Sequence, residues 1–166
     1  MRCLLHQHVD APPVAAFQAL PLFPSADSAA VGNGGATSLA PPGPGTHFRE
    51  FRLVAGRRVE VEQRVVEFDP PRLCVLEFRA RGFLGRTIYR LTPDIAGTLV
   101  ELEYAAAAET WLARWRSLRE LLGGRRAVRD ALAGELRAVR SRAEASARRD
   151  GALGSGASPR RSGDGG

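Results

Sequence analysis

The chain has 166 residues and a formal net charge of +6, and 44% of its residues are hydrophobic. This length allows one domain, and this hydrophobic content supports a core without a disulfide or a metal. All 24 basic residues are arginine. We attribute the complete absence of lysine to biased coding composition. The modest excess of positive charge, without interleaved aromatic residues, does not predict a nucleic-acid partner.

The sequence shows no sign of export or of membrane insertion. The two cysteines, Cys3 and Cys74, form no CxxC pair, and the apolar runs are too short to span a bilayer. The N-terminus lacks an apolar segment of signal-peptide length, because His6 and His8 interrupt it early. We therefore expect a cytoplasmic protein without stable membrane insertion.

The first part of the chain predicts a strand, a short helix and a long loop. Residues 3–9 are predicted to form the strand, and Asp10 is placed to cap a helix that begins at Pro12 or Pro13. Residues 21–45, rich in Ala, Gly, Ser and Pro, keep neither a helical nor a strand period, so we predict a long loop. The next predicted strand covers His47 to Val54.

Residues 57–107 predict four antiparallel strands joined by three successive turns. Apolar and polar side chains alternate along each segment, as Val59, Glu60 and Val61 show, and Pro, Gly or Asp occupies each break. Such a period of two predicts a sheet with one buried face and one solvated face. The paired glutamates that might suggest acid–base chemistry fall on the solvated phase: Glu60, Glu62, Glu101 and Glu103.

Helical periodicity dominates the end of the chain. Trp111 and Trp115 begin a segment with helical spacing, which we expect Gly123-Gly124 to break. A second helix is predicted over residues 125–147, because its apolar residues recur at about 100° per residue. That stripe consists of Val128, Leu132, Leu136, Val139 and Ala143. We expect a single domain over residues 1–147, followed by a disordered tail rich in Arg, Gly and Ser over residues 148–166.

Three stretches of sequence match a known pattern: Val9 to Pro13 with Phe17, Arg64 to Arg72, and Tyr89 to Pro93 leading to Gly97 through Glu101. They resemble the START-like superfamily, and within it the polyketide cyclase/dehydratase and lipid-transport group, also called SRPBCC proteins. The resemblance covers roughly residues 3–147, apart from the loop. It implies an α+β helix-grip fold, in which a curved antiparallel sheet wraps around a long C-terminal helix and encloses an apolar cavity.

Polar residues in the buried phase of the strands are the best candidates for contacting a ligand in such a cavity. Gln63, Tyr89 and Tyr104 alternate with apolar neighbours, and His47 and Arg49 share the phase of Phe51 and Leu53, so we expect all of them to point inward. The alternative is that Gln63 and the tyrosine hydroxyls reach water at the ends of the sheet. The two tryptophans fit either a pocket lining or simple helix packing. The apolar wall would come from Phe51, Leu76, Phe78, Leu102, Trp111, Trp115, Leu132 and Leu136.

The histidines do not predict a metal site. His6 and His8 share a strand face, but Asp10 lies roughly 13 Å from His6 along an extended strand. Only His47 remains as a third imidazole, and nothing in the sequence places it nearby. We therefore predict no metal and no other cofactor.

Two functions from different classes remain open. The first is a protein that binds or carries a hydrophobic or amphiphilic small molecule such as a lipid, a quinone or a polyketide-like compound. The alternative is a cyclase or dehydratase in which Arg49 or Tyr89 polarises a carbonyl and His47 transfers a proton. A weaker alternative is an interaction module that uses the Arg-rich C-terminal helix. The sequence leaves open whether the protein is a monomer or a dimer.

Overall fold

Six antiparallel strands form one sheet. The computed structural model describes residues 1–23, 42–54, 57–80, 82–109 and 111–154, without the side chains of 51–57, 111–124 and 151–154. The strands are β1 (Arg2–Val9), β2 (His47–Val54), β3 (Arg57–Asp69), β4 (Leu73–Ala80), β5 (Phe83–Asp94) and β6 (Gly97–Ala108). Their spatial order is β1-β6-β5-β4-β3-β2, so the first strand pairs with the last. The predicted α+β fold with a curved sheet is confirmed.

The alternation along β3 to β6 sorts the side chains as predicted. Val61, Gln63 and Val65 are buried, whereas Glu62 and Arg64 between them, and Glu60 before them, are exposed. A bulge between Val65 and Glu67 shifts the register of β3 against β4. Because a bulge adds one residue to one strand, it bends the sheet and increases its twist. The sheet thereby acquires one concave inner face.

The helix α1 (Pro13–Gln18) covers one end of the inner face. Ala15, Ala16 and Phe17 are buried, and Phe17 packs edge-on against Phe68 with the ring centroids 5.4 Å apart. The capping prediction is wrong, because the N-cap is Pro12, without a side-chain hydrogen bond. Instead, the Asp10 carboxylate lies 3.2 Å from Nδ1 of His8. Only the middle of the predicted 21–45 loop, residues 24–41, lies outside the described residues; Leu22, at its start, is buried.

A single helix, α2 (Trp111–Gly154), forms the C-terminal part. The predicted break at Gly123-Gly124 is wrong, because the helix continues through both glycines. Each glycine costs about 1 kcal/mol relative to alanine, and the strong helix formers on both sides offset that cost. The helix also extends past the predicted end at residue 147 to Gly154, so the first residues of the predicted tail are helical. Residues 155–166 lie outside the described part.

The apolar stripe of α2 packs on the inner face of the sheet. Leu132, Leu136, Val139 and Ala143 are each no more than 2% exposed, and Val128 packs against the same core. The opposite side of the helix is charged and exposed. Among the described residues, no helix is both long enough and apolar enough to cross a membrane.

Ion pairs between arginine and glutamate cover much of the outer face of the sheet. Glu103 on β6 accepts hydrogen bonds from Arg2 Nε at 2.9 Å and from Arg90 Nη1 at 3.3 Å. These hydrogen bonds, that from Arg2 first, hold the pKa of Glu103 below its ordinary value. Arg86 and Glu77 form a similar pair across β5 and β4 at 3.0 Å. This pairing confirms that the glutamates belong to the solvated face.

We expect Leu132→Ala to lower the free energy of unfolding by about 2–5 kcal/mol, since it leaves a cavity between α2 and the sheet. Asp130→Ala, on the exposed side of the same helix turn, is the control and should change it by less than about 0.5 kcal/mol. Urea unfolding followed by circular dichroism measures both. Equal stability of the two variants would contradict the packing of α2.

The two cysteines should differ in reactivity. Burial raises the pKa of the Cys74 thiol to about 12, whereas Cys3 is only half-buried. Because the thiolate is the reactive form, a thiol reagent at pH 8 should label Cys3 rapidly and Cys74 only as the protein unfolds. Cys3→Ser should abolish the rapid phase, and two rapid phases in the parent protein would be inconsistent with the buried position of Cys74.

Candidate functional site

The inner face of the sheet consists of two different regions. The strand registers align residues into rows across the sheet, and one row joins Cys74, Tyr89 and Leu102. All three side chains have no exposed surface and belong to the continuous core beneath α2. Two rows further along, a second row crosses all the strands from β2 to β6. It consists of Phe48, Gln63, Phe78, Gly85 and Ala106, and we call it the Gln63 row.

An aromatic stack stands beside the Gln63 row. Phe78 and Tyr104 are stacked with ring centroids 5.0 Å apart and an angle of 15° between the planes. A Cβ atom on Gly85 would lie only 2.2 Å from the Phe78 ring, so only glycine leaves room for the ring there. Phe78 is 7% exposed and yet lies outside the continuous core. The stacked rings therefore lie next to the buried amide of Gln63, which is opposite Phe78 in the register of β3 and β4.

That buried amide, Gln63, has an unused hydrogen-bonding atom. Its side chain is 3% exposed, and its Nε2 donates a hydrogen bond to the Glu50 carboxylate on β2. No described residue donates a hydrogen bond to its other polar atom, Oε1. Because an unsatisfied buried carbonyl costs on the order of 1–3 kcal/mol, such an atom is expected to find a partner.

A second polar pair lies in the packed core. The Tyr89 hydroxyl donates a hydrogen bond to the Glu135 carboxylate of α2, and thereby joins the middle of the sheet to the helix. Because Tyr89 has no exposed surface, its hydroxyl serves the contact between the sheet and α2.

Two residues of the predicted site point the other way. His47 and Arg49 are exposed, and Arg49 binds Glu62 on the outer face at 2.8 Å. Their predicted inward orientation is wrong because the pairing of β2 with β3 places Phe48 opposite Gln63 on the inner face. Both phases of β2 contain apolar residues, so the alternation within the strand could not decide between them.

The other residues predicted to contact a ligand fall into two groups: those in the packed core and those whose side chains are not described. Leu76, Leu102, Leu132 and Leu136 belong to the packed core. The side chains of Phe51, Trp111 and Trp115 lie outside the described residues.

Sequence reasoning missed Glu50 and Glu135. Glu135 follows Leu132 by three positions and precedes Val139 by four, so it lies at the margin of the apolar stripe of α2. An acidic residue at that position could have indicated a polar contact with the sheet.

His6 and His8 lie on the outer face beside carboxylates. Nδ1 and Nε2 of His8 face Asp10 at 3.2 Å and Asp94 at 3.5 Å. The two carboxylates therefore lie against different ring nitrogens and cannot share one metal ion with this imidazole. Within the described ranges, no three His, Cys, Asp or Glu side chains are grouped as metal ligands.

An open concavity of about 530 Å³ occurs at the same end of the sheet. Its lining combines three members of the Gln63 row, Phe78, Gly85 and Ala106, with residues that the strand alternation places on the outer face: Glu77, Leu84, Arg86, Ala105 and Ala107. The concavity therefore borders the Gln63 row. The buried amide and the aromatic stack identify the inner surface as the candidate site.

The curved sheet around a long C-terminal helix defines this protein as a member of the helix-grip class. The chain belongs to the polyketide cyclase/dehydrase and lipid transport family, whose model matches residues 5–144. No curated protein matches the chain in sequence.

Solved structures agree with this fold at low sequence identity. TTHA0849 of Thermus thermophilus is 15% identical, with a TM-score of 0.63 over 88% of this chain and 99% of the other. Ms6760 of Mycobacterium smegmatis is 13% identical, with a TM-score of 0.60 over 84% and 88%. DynU16, from the dynemicin biosynthetic locus, is 15% identical, with a TM-score of 0.53 over 81% of this chain and 45% of DynU16.

We expect Tyr89→Phe to lower the free energy of unfolding by about 1–3 kcal/mol, because the partly buried Glu135 loses a donor. A double-mutant cycle with Glu135→Ala, measured by urea unfolding, should give a coupling energy of at least about 0.5 kcal/mol. The control cycle combines Tyr89→Phe with Glu62→Gln on the outer face and should be additive. Additivity in the first cycle would contradict the contact.

Proposed function

We propose that the protein binds a hydrophobic or amphiphilic small molecule on the inner face of the sheet, at the Gln63 row. Phe78 and Tyr104 contact the apolar part of the molecule, and Gln63 holds its polar group. Tyr89, Leu76, Leu102, Leu132 and Leu136 form the packed layer that keeps this surface in place.

The observation that carries this proposal is the unpartnered Oε1 of Gln63 beside an aromatic stack. Binding sites for small molecules are mostly apolar surfaces with a few polar groups that orient the ligand. A bound molecule that donates a hydrogen bond to Oε1 would remove the cost of an unsatisfied buried carbonyl.

The family supports a ligand of this kind, since its description joins polyketide cyclisation and lipid transport. Both activities require a protein to hold a largely apolar molecule. DynU16, whose fold this chain shares, comes from a biosynthetic locus. That relationship is consistent with a small organic molecule as the ligand.

The positions of the candidate catalytic residues favour a binding function over a catalytic one. The catalytic alternative required His47 and Arg49 in the interior, and both are exposed on the outer face. Tyr89 is the remaining member of that set, and its hydroxyl already donates to Glu135. The interaction-module alternative would not account for an unsatisfied amide at the inner surface.

The test is a titration with Nile red, a neutral hydrophobic dye, against the parent protein and Phe78→Leu. The substitution keeps apolar volume but removes the flat ring, whose stacking is worth about 0.5–1.5 kcal/mol. Dye affinity should therefore fall about two- to tenfold.

Glu77→Gln is the matched control, because Glu77 adjoins Phe78 in the chain but lies exposed on the outer face. Its dye affinity should equal that of the parent. Failure of the parent to bind the dye, together with native mass spectra that show no co-purifying molecule, would refute the proposal. An equal loss in both variants would place the site elsewhere.

A further inference from the structure

The exposed side of α2 carries a line of arginines. At 100° per residue they fall within an arc of about 100°, and they extend over about 33 Å of helix. We call this surface the arginine face; it consists of Arg126, Arg129, Arg137, Arg140 and Arg148, all exposed. Two acidic residues, Asp130 and Glu144, share the arc, so the surface keeps an excess of positive charge.

These arginines have fewer internal partners than those of the sheet. On the outer face of the sheet, three arginines are paired with glutamates at 2.8, 3.0 and 3.3 Å: Arg49, Arg86 and Arg90. On α2, Arg140 binds Glu144 at 2.7 Å. Arg126, Arg129 and Arg137 form no ion pair within the part of the chain that the structure describes. Their charge is therefore available to an external anion.

The arginine face offers charge without apolar anchors. Among the described side chains of α2, no large apolar residue is exposed. Stable interfaces between folded proteins concentrate their binding energy in buried aromatic or aliphatic anchors, and this face has none to offer. Nor do aromatic residues alternate with its arginines, as they do in proteins that bind single-stranded nucleic acid. An anionic lipid surface requires only charge, and each arginine near it raises the partition coefficient about fivefold.

The direction of α2 places the arginine face along the whole length of the fold. Glu144 accepts a hydrogen bond from the Asp10 backbone at the end of β1, and Glu135 accepts one from Tyr89 in the middle of the sheet. The residues before Glu135 therefore run toward the end of the sheet that holds the Gln63 row. A protein lying along α2 on a bilayer would bring that end close to the lipid.

We propose that the arginine face attaches the protein to the surface of anionic lipid bilayers without insertion. The choice of a bilayer as the partner rests on the proposed function, because a hydrophobic ligand concentrates in membranes and a protein that carries it must exchange it there. The attachment depends on phosphate groups at the surface and on the free guanidinium groups of Arg126, Arg129 and Arg137.

Flotation with lipid vesicles tests the attachment. Vesicles of phosphatidylcholine and phosphatidylglycerol in equal parts should carry the parent protein at low salt, and vesicles of phosphatidylcholine alone should not. At about 1 M salt the Debye length falls to about 3 Å, so the protein should leave the anionic vesicles. The triple variant Arg126→Gln, Arg129→Gln and Arg137→Gln should lower the partition coefficient roughly tenfold to a hundredfold.

The matched control removes the same amount of charge from the outer face of the sheet. It is the triple variant Arg49→Gln, Arg86→Gln and Arg90→Gln, and it should keep most of the affinity of the parent for anionic vesicles. Glutamine has nearly the helix propensity of arginine, so the α2 variant should show the circular dichroism of the parent. It should also bind Nile red like the parent when no vesicles are present, since its substitutions lie away from the Gln63 row.

The outcomes separate this inference from the proposed function. Equal losses in the two triple variants, or equal binding to neutral and anionic vesicles, would overturn the assignment to the arginine face. Binding to duplex DNA or to polyglutamate without binding to anionic vesicles would identify another polyanion as the partner and would also overturn it. Absence of vesicle binding with Nile red binding intact would refute the attachment and leave the proposed function standing. Vesicle binding without Nile red binding would refute the proposed function alone.

Discussion

The contact between α2 and the concave face of the sheet is the interaction on which the rest of the structure depends. An antiparallel sheet with one apolar face is unstable until a second layer covers that face. Leu132, Leu136, Val139 and Ala143 provide that layer, and they are almost completely buried. The hydrogen bond from Tyr89 to Glu135 adds a directional link, which ties the helix to one strand at one position.

This contact also determines where the proposed ligand surface lies. The core is continuous through the rows that contain Tyr89 and Thr87, so those positions have no room for another molecule. At the Gln63 row the character changes, because a buried amide, a carboxylate and an aromatic stack occur together. A glycine at position 85 is required for that change, since any side chain there would displace the Phe78 ring. The proposed binding surface thus lies at the margin of the packed core, and Tyr104 reaches it from the row of Thr87.

The outer face of the sheet consists largely of charged side chains that form ion pairs. Its arginines and glutamates pair across neighbouring strands, as Arg2 and Arg90 do with Glu103. Exposed pairs of this kind contribute little to stability, typically below about 1 kcal/mol each. Arg49 and Glu62 form another such pair on the outer face, at 2.8 Å.

The sequence by itself determined the order and type of the strands, the inward phase of Gln63, Tyr89 and Tyr104, and the apolar stripe of α2. These features are local, because a period of two or 3.6 residues already shows which side of an element is apolar. Only the tertiary structure decided the orientation of His47 and Arg49. Both phases of β2 contain apolar and polar residues, and the pairing of β2 with β3 determines which phase faces inward. The tertiary structure also showed that the helix continues through Gly123-Gly124, because the helical segments on both sides outweigh the low helix propensity of glycine. The partners of Gln63 and Tyr89 were likewise decided by tertiary structure, because Glu50 and Glu135 reach them from other elements.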